Sequence, residues 1–158
     1  MTDDRIKEYS MRIGLANPSE IIVILYDMLK DDLKEAIKAS DESIGHAELV
    51  ISHLRASLDF SKECFVTSSG LLSLYDYVGR LLSMARIKGA KSAERRSLLD
   101  ECLSIINPLS EAFQEVAAKD KRPPSMENAQ RTIAGLTYSR VGLSEGTENY
   151  DRNRGFLA

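Results

Sequence analysis

Apolar residues in one stretch of the chain recur at alternating steps of three and four: Ile44, Ala47, Ile51, Leu54 and Leu58. That rhythm matches a helix laid lengthwise against another helix, and a strand, with its period of two, does not produce it. Comparable stripes lie on either side. Ile22, Leu25, Leu29, Leu33 and Ile37 form one, and Leu71, Leu74, Tyr75, Val78, Leu81, Leu82 and Ala85 form another. A last stripe runs through Leu99, Cys102, Ile106, Leu109, Phe113 and Val116. Each stripe must be buried against the others. Amphipathic helices in series with short connections therefore predict an all-α, antiparallel, up-down four-helix bundle. The expected helices cover about 18–39, 41–61, 70–87 and 91–119. With 9 glycines and 4 prolines in 158 residues, the chain lacks the turn formers of a β-sandwich.

Local signals set the expected boundaries. Asn17-Pro18-Ser19-Glu20 starts the first bundle helix: Asn17 caps free N–H groups, Pro18 fits the first turn, and Glu20 completes a capping box. Asp41 is read as the cap of the second helix, and Ser61 to Gly70 as a loop carrying Cys64, Phe65 and Val66. Lys88-Gly89 closes the third helix, and Pro108 is expected to kink or locally break the fourth. The bundle thus spans 18–120. Residues 1–17 form an N-terminal arm with scattered apolar side chains, Ile6, Tyr9, Met11, Ile13 and Leu15.

Residues 121–158 are a stiff Lys121-Arg-Pro-Pro-Ser125 linker and a C-terminal extension, with room for a short fifth helix over Met126 to Ala134. Charge divides the chain. Residues 121–158 carry 6 basic and 4 acidic side chains, against 15 and 20 in residues 1–120. Long-range attraction favours docking of the extension on a bundle, its own or a neighbour's; a freely moving tail is the alternative.

Composition excludes several function classes. With a net charge of −3 the chain has no strongly basic domain to neutralise phosphates, and no apolar run is long enough to span a bilayer. The acidic start lacks the pattern of a signal peptide, so a cytoplasmic location is expected. Cys64 and Cys102 read as ordinary thiols outside any Cys-x-x-Cys pair. His46 and His53 lie seven apart, two helical turns, too far to share a metal ion, and Glu-x-x-His pairs are absent. No phosphate loop, nucleophile elbow or zinc-protease motif occurs. Asp27 and Asp76 read as surface charges or hydroxyl acceptors, and Asp31-Asp32 and Arg95-Arg96 as solvated faces. No catalytic residue, cofactor site or metal site is expected, and the chain is not read as an enzyme.

Several of these patterns also occur, in order, in one family. Tyr9 precedes a short apolar segment and Asn17-Pro18-Ser19-Glu20; the first bundle helix carries Ile21-Ile-Val-Ile-Leu-Tyr-Asp27. The stretch Ala47 to Leu58 follows, then Leu74-Tyr75-Asp76-Tyr77 with Arg80-Leu81-Leu82 one turn on. In these features the chain resembles the flagellin-specific secretion chaperones of the FliS family, over about residues 5–118. The resemblance implies a cytosolic chaperone that binds the C-terminal segment of flagellin in hydrophobic grooves between helices. It also implies protection against premature polymerisation, delivery to a component of the flagellar type III export gate, and an N-terminal arm that can be displaced from the client surface. A helical client needs apolar grooves and no catalytic group. The alternative is a self-associating structural bundle without a flagellin client; a monomer or weak dimer is expected. Ile6, Tyr9, Ile13, Tyr26, Leu29, Leu54, Leu58, Tyr75, Tyr77 and Leu82 are the candidate partner-binding residues. Tyr75 and Tyr77, two apart, must point to different faces of their helix, one of them inward.

Overall fold

The computed structural model describes residues 2–125. All regular structure among them is helical: α1 (Asp3–Leu15), α2 (Pro18–Ile37), α3 (Asp41–Ala56), α4 (Phe65–Arg86) and α5 (Ala93–Lys119). Helix α2 packs on α3 and α5, and α4 packs on the same two, which closes a four-helix bundle; α1 lies against α2. The fold is the expected all-α bundle, with the arm itself folded as a helix. The extension from Met126 to Ala158, including the expected fifth helix, lies outside the described residues.

The break between α1 and α2 follows from Pro18. A residue before proline is driven out of the helical region, and Asn17 accordingly sits at φ −79°, ψ 172°. Its side chain then accepts from the Glu20 N–H at 2.9 Å, while the Glu20 carboxylate accepts from the Asn17 N–H at 2.8 Å. The capping box is complete. Because α1 covers a second face of α2, the buried surface of α2 is wider than a single seam: Ile21, Ile24 and Met28 join Leu25, Leu29 and Leu33.

Four boundaries or local features differ from the sequence reading. Ser40, not Asp41, caps α3, its hydroxyl accepting from the Ser43 N–H at 3.3 Å. The connection before it turns through Ala39 at φ 80°, a left-handed conformation that costs a non-glycine residue about 1 kcal/mol. Helix α3 ends at Ala56, where the Ser57 hydroxyl donates to the Leu54 carbonyl at 2.7 Å, and α4 begins at Phe65 rather than near Gly70. Serine, threonine and glycine between 67 and 70 are weak helix formers, but buried Ser68 donates its hydroxyl to the Asp59 carbonyl and anchors the extra turn. Pro108 does not break α5. It lies on the exposed side of the helix, as does Ser104, whose carbonyl loses its helical partner to the proline.

Two charged pairs read as solvated are split by the fold. Arg96 is exposed, but Arg95 is only 1% exposed, ion-paired with Asp41 and donating to the Ser40 carbonyl at 3.2 Å. Asp32 is likewise buried, with His46 Nδ1 2.5 Å from its carboxylate, while Asp31 points toward α1. Consecutive helical residues lie about 100° apart, so a pair of like charges cannot share one environment.

Candidate functional site

Two features of the surface stand out. The first is the seam between α1 and α2. Tyr9 and Ile13, one turn apart, are buried there, and Ile6 is half-buried. A row of polar contacts closes the seam. The Tyr9 hydroxyl donates to Asp31 at 2.6 Å, and Arg5 pairs with the same carboxylate at 2.9 Å. Arg12 pairs with Asp27 at 2.6 Å, and Lys30 meets Asp27 from the α2 side at 3.0 Å. The Arg12 guanidinium also lies 5.4 Å from the Tyr9 ring centre. Burial, and then the Asp31 carboxylate, push the Tyr9 phenol pKa well above its ordinary value, so it remains a neutral donor.

The second is a groove of about 450 Å³ at the end of the bundle where α2 starts and α5 stops. Pro18, Ile21 and Ile22 form one wall, Phe113 and Val116 the other, with Ser57 and Asp59 from the connection after α3 at one edge. Arg122 and Ser125 of the segment after α5 complete the lining. Phe113 is backed by Tyr26, ring centres 5.3 Å apart, and the Tyr26 and Tyr75 hydroxyls meet at 2.5 Å in the core. Burial raises the pKa of both phenols; for Tyr26 the neighbouring Tyr75 adds to it. Val116 stays 53% exposed.

A strap after α5 ties this groove to the α1–α2 junction. Asp120 accepts from the Ser19 hydroxyl at 2.6 Å, its carbonyl accepts from the Asn17 amide at 3.3 Å, and the Ser125 N–H donates to the Ala16 carbonyl at 2.9 Å. Arg122, and after it Ser19, hold the Asp120 carboxyl below the ordinary carboxylate range.

The residues singled out from sequence fall into separate places. Tyr26, Leu29, Leu54, Tyr75 and Leu82 lie in the closed core, where no partner can touch them while the bundle stays packed. They are buried because each sits at the centre of a seam, the position where a stripe is most fully covered. Leu58 is half-buried after α3, and Tyr77 lies at the surface, its hydroxyl donating to Glu101 at 2.5 Å. Tyr75 is thus the inward member of the pair. The structure does not bring the ten together. The groove walls Ile22, Phe113 and Val116 were read as seam residues. One signal did mark them: the expected last helix was longer than any other, so part of its stripe had to outrun its partners.

Among the described residues no cluster of three or more His, Cys, Asp or Glu side chains could hold a metal ion. Cys102 is buried, its thiol pushed up to about 12. No helix of the described residues is long and apolar enough to cross a membrane.

The family model described as flagellar protein FliS matches residues 4–120. The chain belongs to the FliS family. The match ends where α5 ends, so FliS similarity covers α1 and the bundle and leaves the extension outside. No curated protein and no solved structure matches the chain. FliS proteins are flagellin export chaperones, and the fold, the seam and the groove belong to a chain of that general role.

Proposed function

We propose that this chain acts in the cytosol as a non-enzymatic carrier of flagellin, binding the C-terminal segment of flagellin through an apolar helical face laid into the groove between α2 and α5. The observation that supports this reading is the apolar lining of Ile22, Phe113 and Val116, backed by Tyr26 and accompanied by Ser19, Asp59 and Arg122. An amphipathic helix buries its apolar face in such a groove and meets polar groups at the rim. The α1 seam forms a second surface. Displacing α1 would expose Ile6, Tyr9 and Ile13 together with part of α2, which extends the binding face along the bundle. Held this way, flagellin cannot polymerise, and the complex is delivered to the export gate.

The test is polymerisation of purified flagellin followed by light scattering with increasing amounts of this chain. Suppression that is complete near one chain per flagellin is expected; polymerisation unaffected by excess chain overturns the reading. The rival, a self-associating bundle, draws on Met11 and Leu15, one turn apart on α1 and 72% and 73% exposed. Sedimentation that yields a stable dimer without flagellin would favour it.

A further inference from the structure

We propose that the groove between α2 and α5 is a docking site for this chain's own C-terminal extension, whose side chains Ala129, Ile133 and Leu136 enter it in the absence of a client. Three observations carry this. First, the described chain ends inside the groove: Ser125 is part of its lining and is fixed there by its N–H bond to the Ala16 carbonyl. Thirty-three residues follow from that point. A segment tethered at the mouth of a site experiences an effective concentration of about 1 mM or more, so even weak intrinsic affinity gives substantial occupancy.

Second, the sequence that follows has the register such a groove reads. Ala129 and Ile133 stand at i and i+4 of the expected helix over Met126 to Ala134, the spacing of side chains that enter an apolar groove from one helical face, and Leu136 follows just beyond its end. The nine residues of that expected helix cover about 14 Å, and it begins at the residue after Ser125. Third, charge does not oppose docking. The basic excess of residues 121–158 comes from Lys121 and Arg122, of which Arg122 is already paired with Asp120. Residues 126–158 carry 4 arginines and 4 carboxylates, so apolar burial, not attraction, would hold them in place.

The consequence for flagellin rests on the proposed function: a client must displace the extension, and its apparent affinity falls by the fraction of molecules whose groove is open.

The test uses the full chain and the full chain carrying Ile133→Asp and Leu136→Asp, compared by methyl NMR. The Ile22 and Val116 methyl signals should move in the double variant, while those of Ile44 and Leu82 in the core stay in place. Val116→Asp, at an exposed position, should move the Ile22 signal in the same way. Identical Ile22 and Val116 signals in the two chains overturn the proposal. So does a difference that disappears on dilution, which assigns the groove to the extension of a second copy. A peptide of the flagellin C-terminal segment should bind the double variant about two- to tenfold more tightly; equal affinities overturn the competition. A peptide that binds neither chain removes the proposed function instead, and the methyl signals still decide whether the extension docks.

Discussion

The α3–α4 side of the bundle and the α1–α2 seam are both helix-on-helix contacts, but they are held by different forces. In the bundle, Ile44, Ala47, Val50 and Leu54 of α3 and Val78, Leu82 and Ala85 of α4 are all buried to completion. In the seam only Tyr9 and Ile13 of α1 are buried, and Arg5, Arg12, Asp27 and Asp31 supply much of the remaining contact. Apolar burial is not weakened by ionic screening, whereas partly exposed ion pairs weaken as ionic strength rises. Under the proposed function, a helix held in that second way should open locally at lower free energy than the bundle, as a removable cover requires.

The largest expected effect comes from the bundle. Leu82→Ala should lower global stability by about 2–5 kcal/mol, the range for a fully buried leucine, measured by chemical denaturation. A loss below about 1 kcal/mol would mean that the core tolerates a void, and the contrast with the seam would weaken.

The seam should respond differently. Tyr9→Phe removes the bond to Asp31 and should lower the local stability of α1 by about 1 kcal/mol, read as faster amide exchange in residues 3–15. Exchange in α3 and α4 should not change, and 1 M salt should speed α1 alone. Uniform acceleration across all helices would show that α1 is an integral part of the core.

Ala39→Gly sharpens the comparison from the other direction. Relief of the left-handed alanine at φ 80° outweighs the extra chain entropy of glycine by about 0.5 kcal/mol. The denaturation midpoint should rise, and exchange in α1 should stay as it was.

The smallest effect is a pH dependence confined to the bundle. Burial raises the Asp32 pKa above its ordinary 3.8, with His46 opposing the shift. The folded chain therefore binds this proton more tightly than the unfolded chain does. The contribution of Asp32 is fully present below the unfolded pKa and is lost as pH rises from there through the raised folded value. Asp32→Asn should remove that slope from the stability–pH curve; an unchanged slope assigns it to other groups.

The bundle was legible in the sequence because a stripe at steps of three and four leaves few packings. The capping box was legible because Asn17, Pro18 and Glu20 act within one turn. What escaped depended on contacts distant in sequence. Ser68 fixes the start of α4 through the Asp59 carbonyl, and Arg95 is buried because the Ser40 carbonyl and Asp41 meet it from the α2–α3 turn. Neither partner is near in sequence, so local propensity misjudged both. The candidate site escaped for a related reason. An apolar residue at a seam position is core or groove according to how far its neighbours extend, and sequence does not carry that length. Leu54 and Leu82 proved to be core, while Phe113 and Val116, on the same kind of stripe, lie where α5 reaches the end of the bundle.

The measurement closest to the central claim is calorimetric titration of the full chain with a peptide of the flagellin C-terminal segment, repeated with Val116→Asp. Val116 is 53% exposed, so the substitution leaves the fold intact, yet it puts a carboxylate where an apolar face must be buried. If flagellin binds in the groove between α2 and α5, affinity should fall at least about tenfold, equivalent to about 1.4 kcal/mol. Equal affinity for the two chains would place flagellin elsewhere on the molecule and contradict the assignment of the groove.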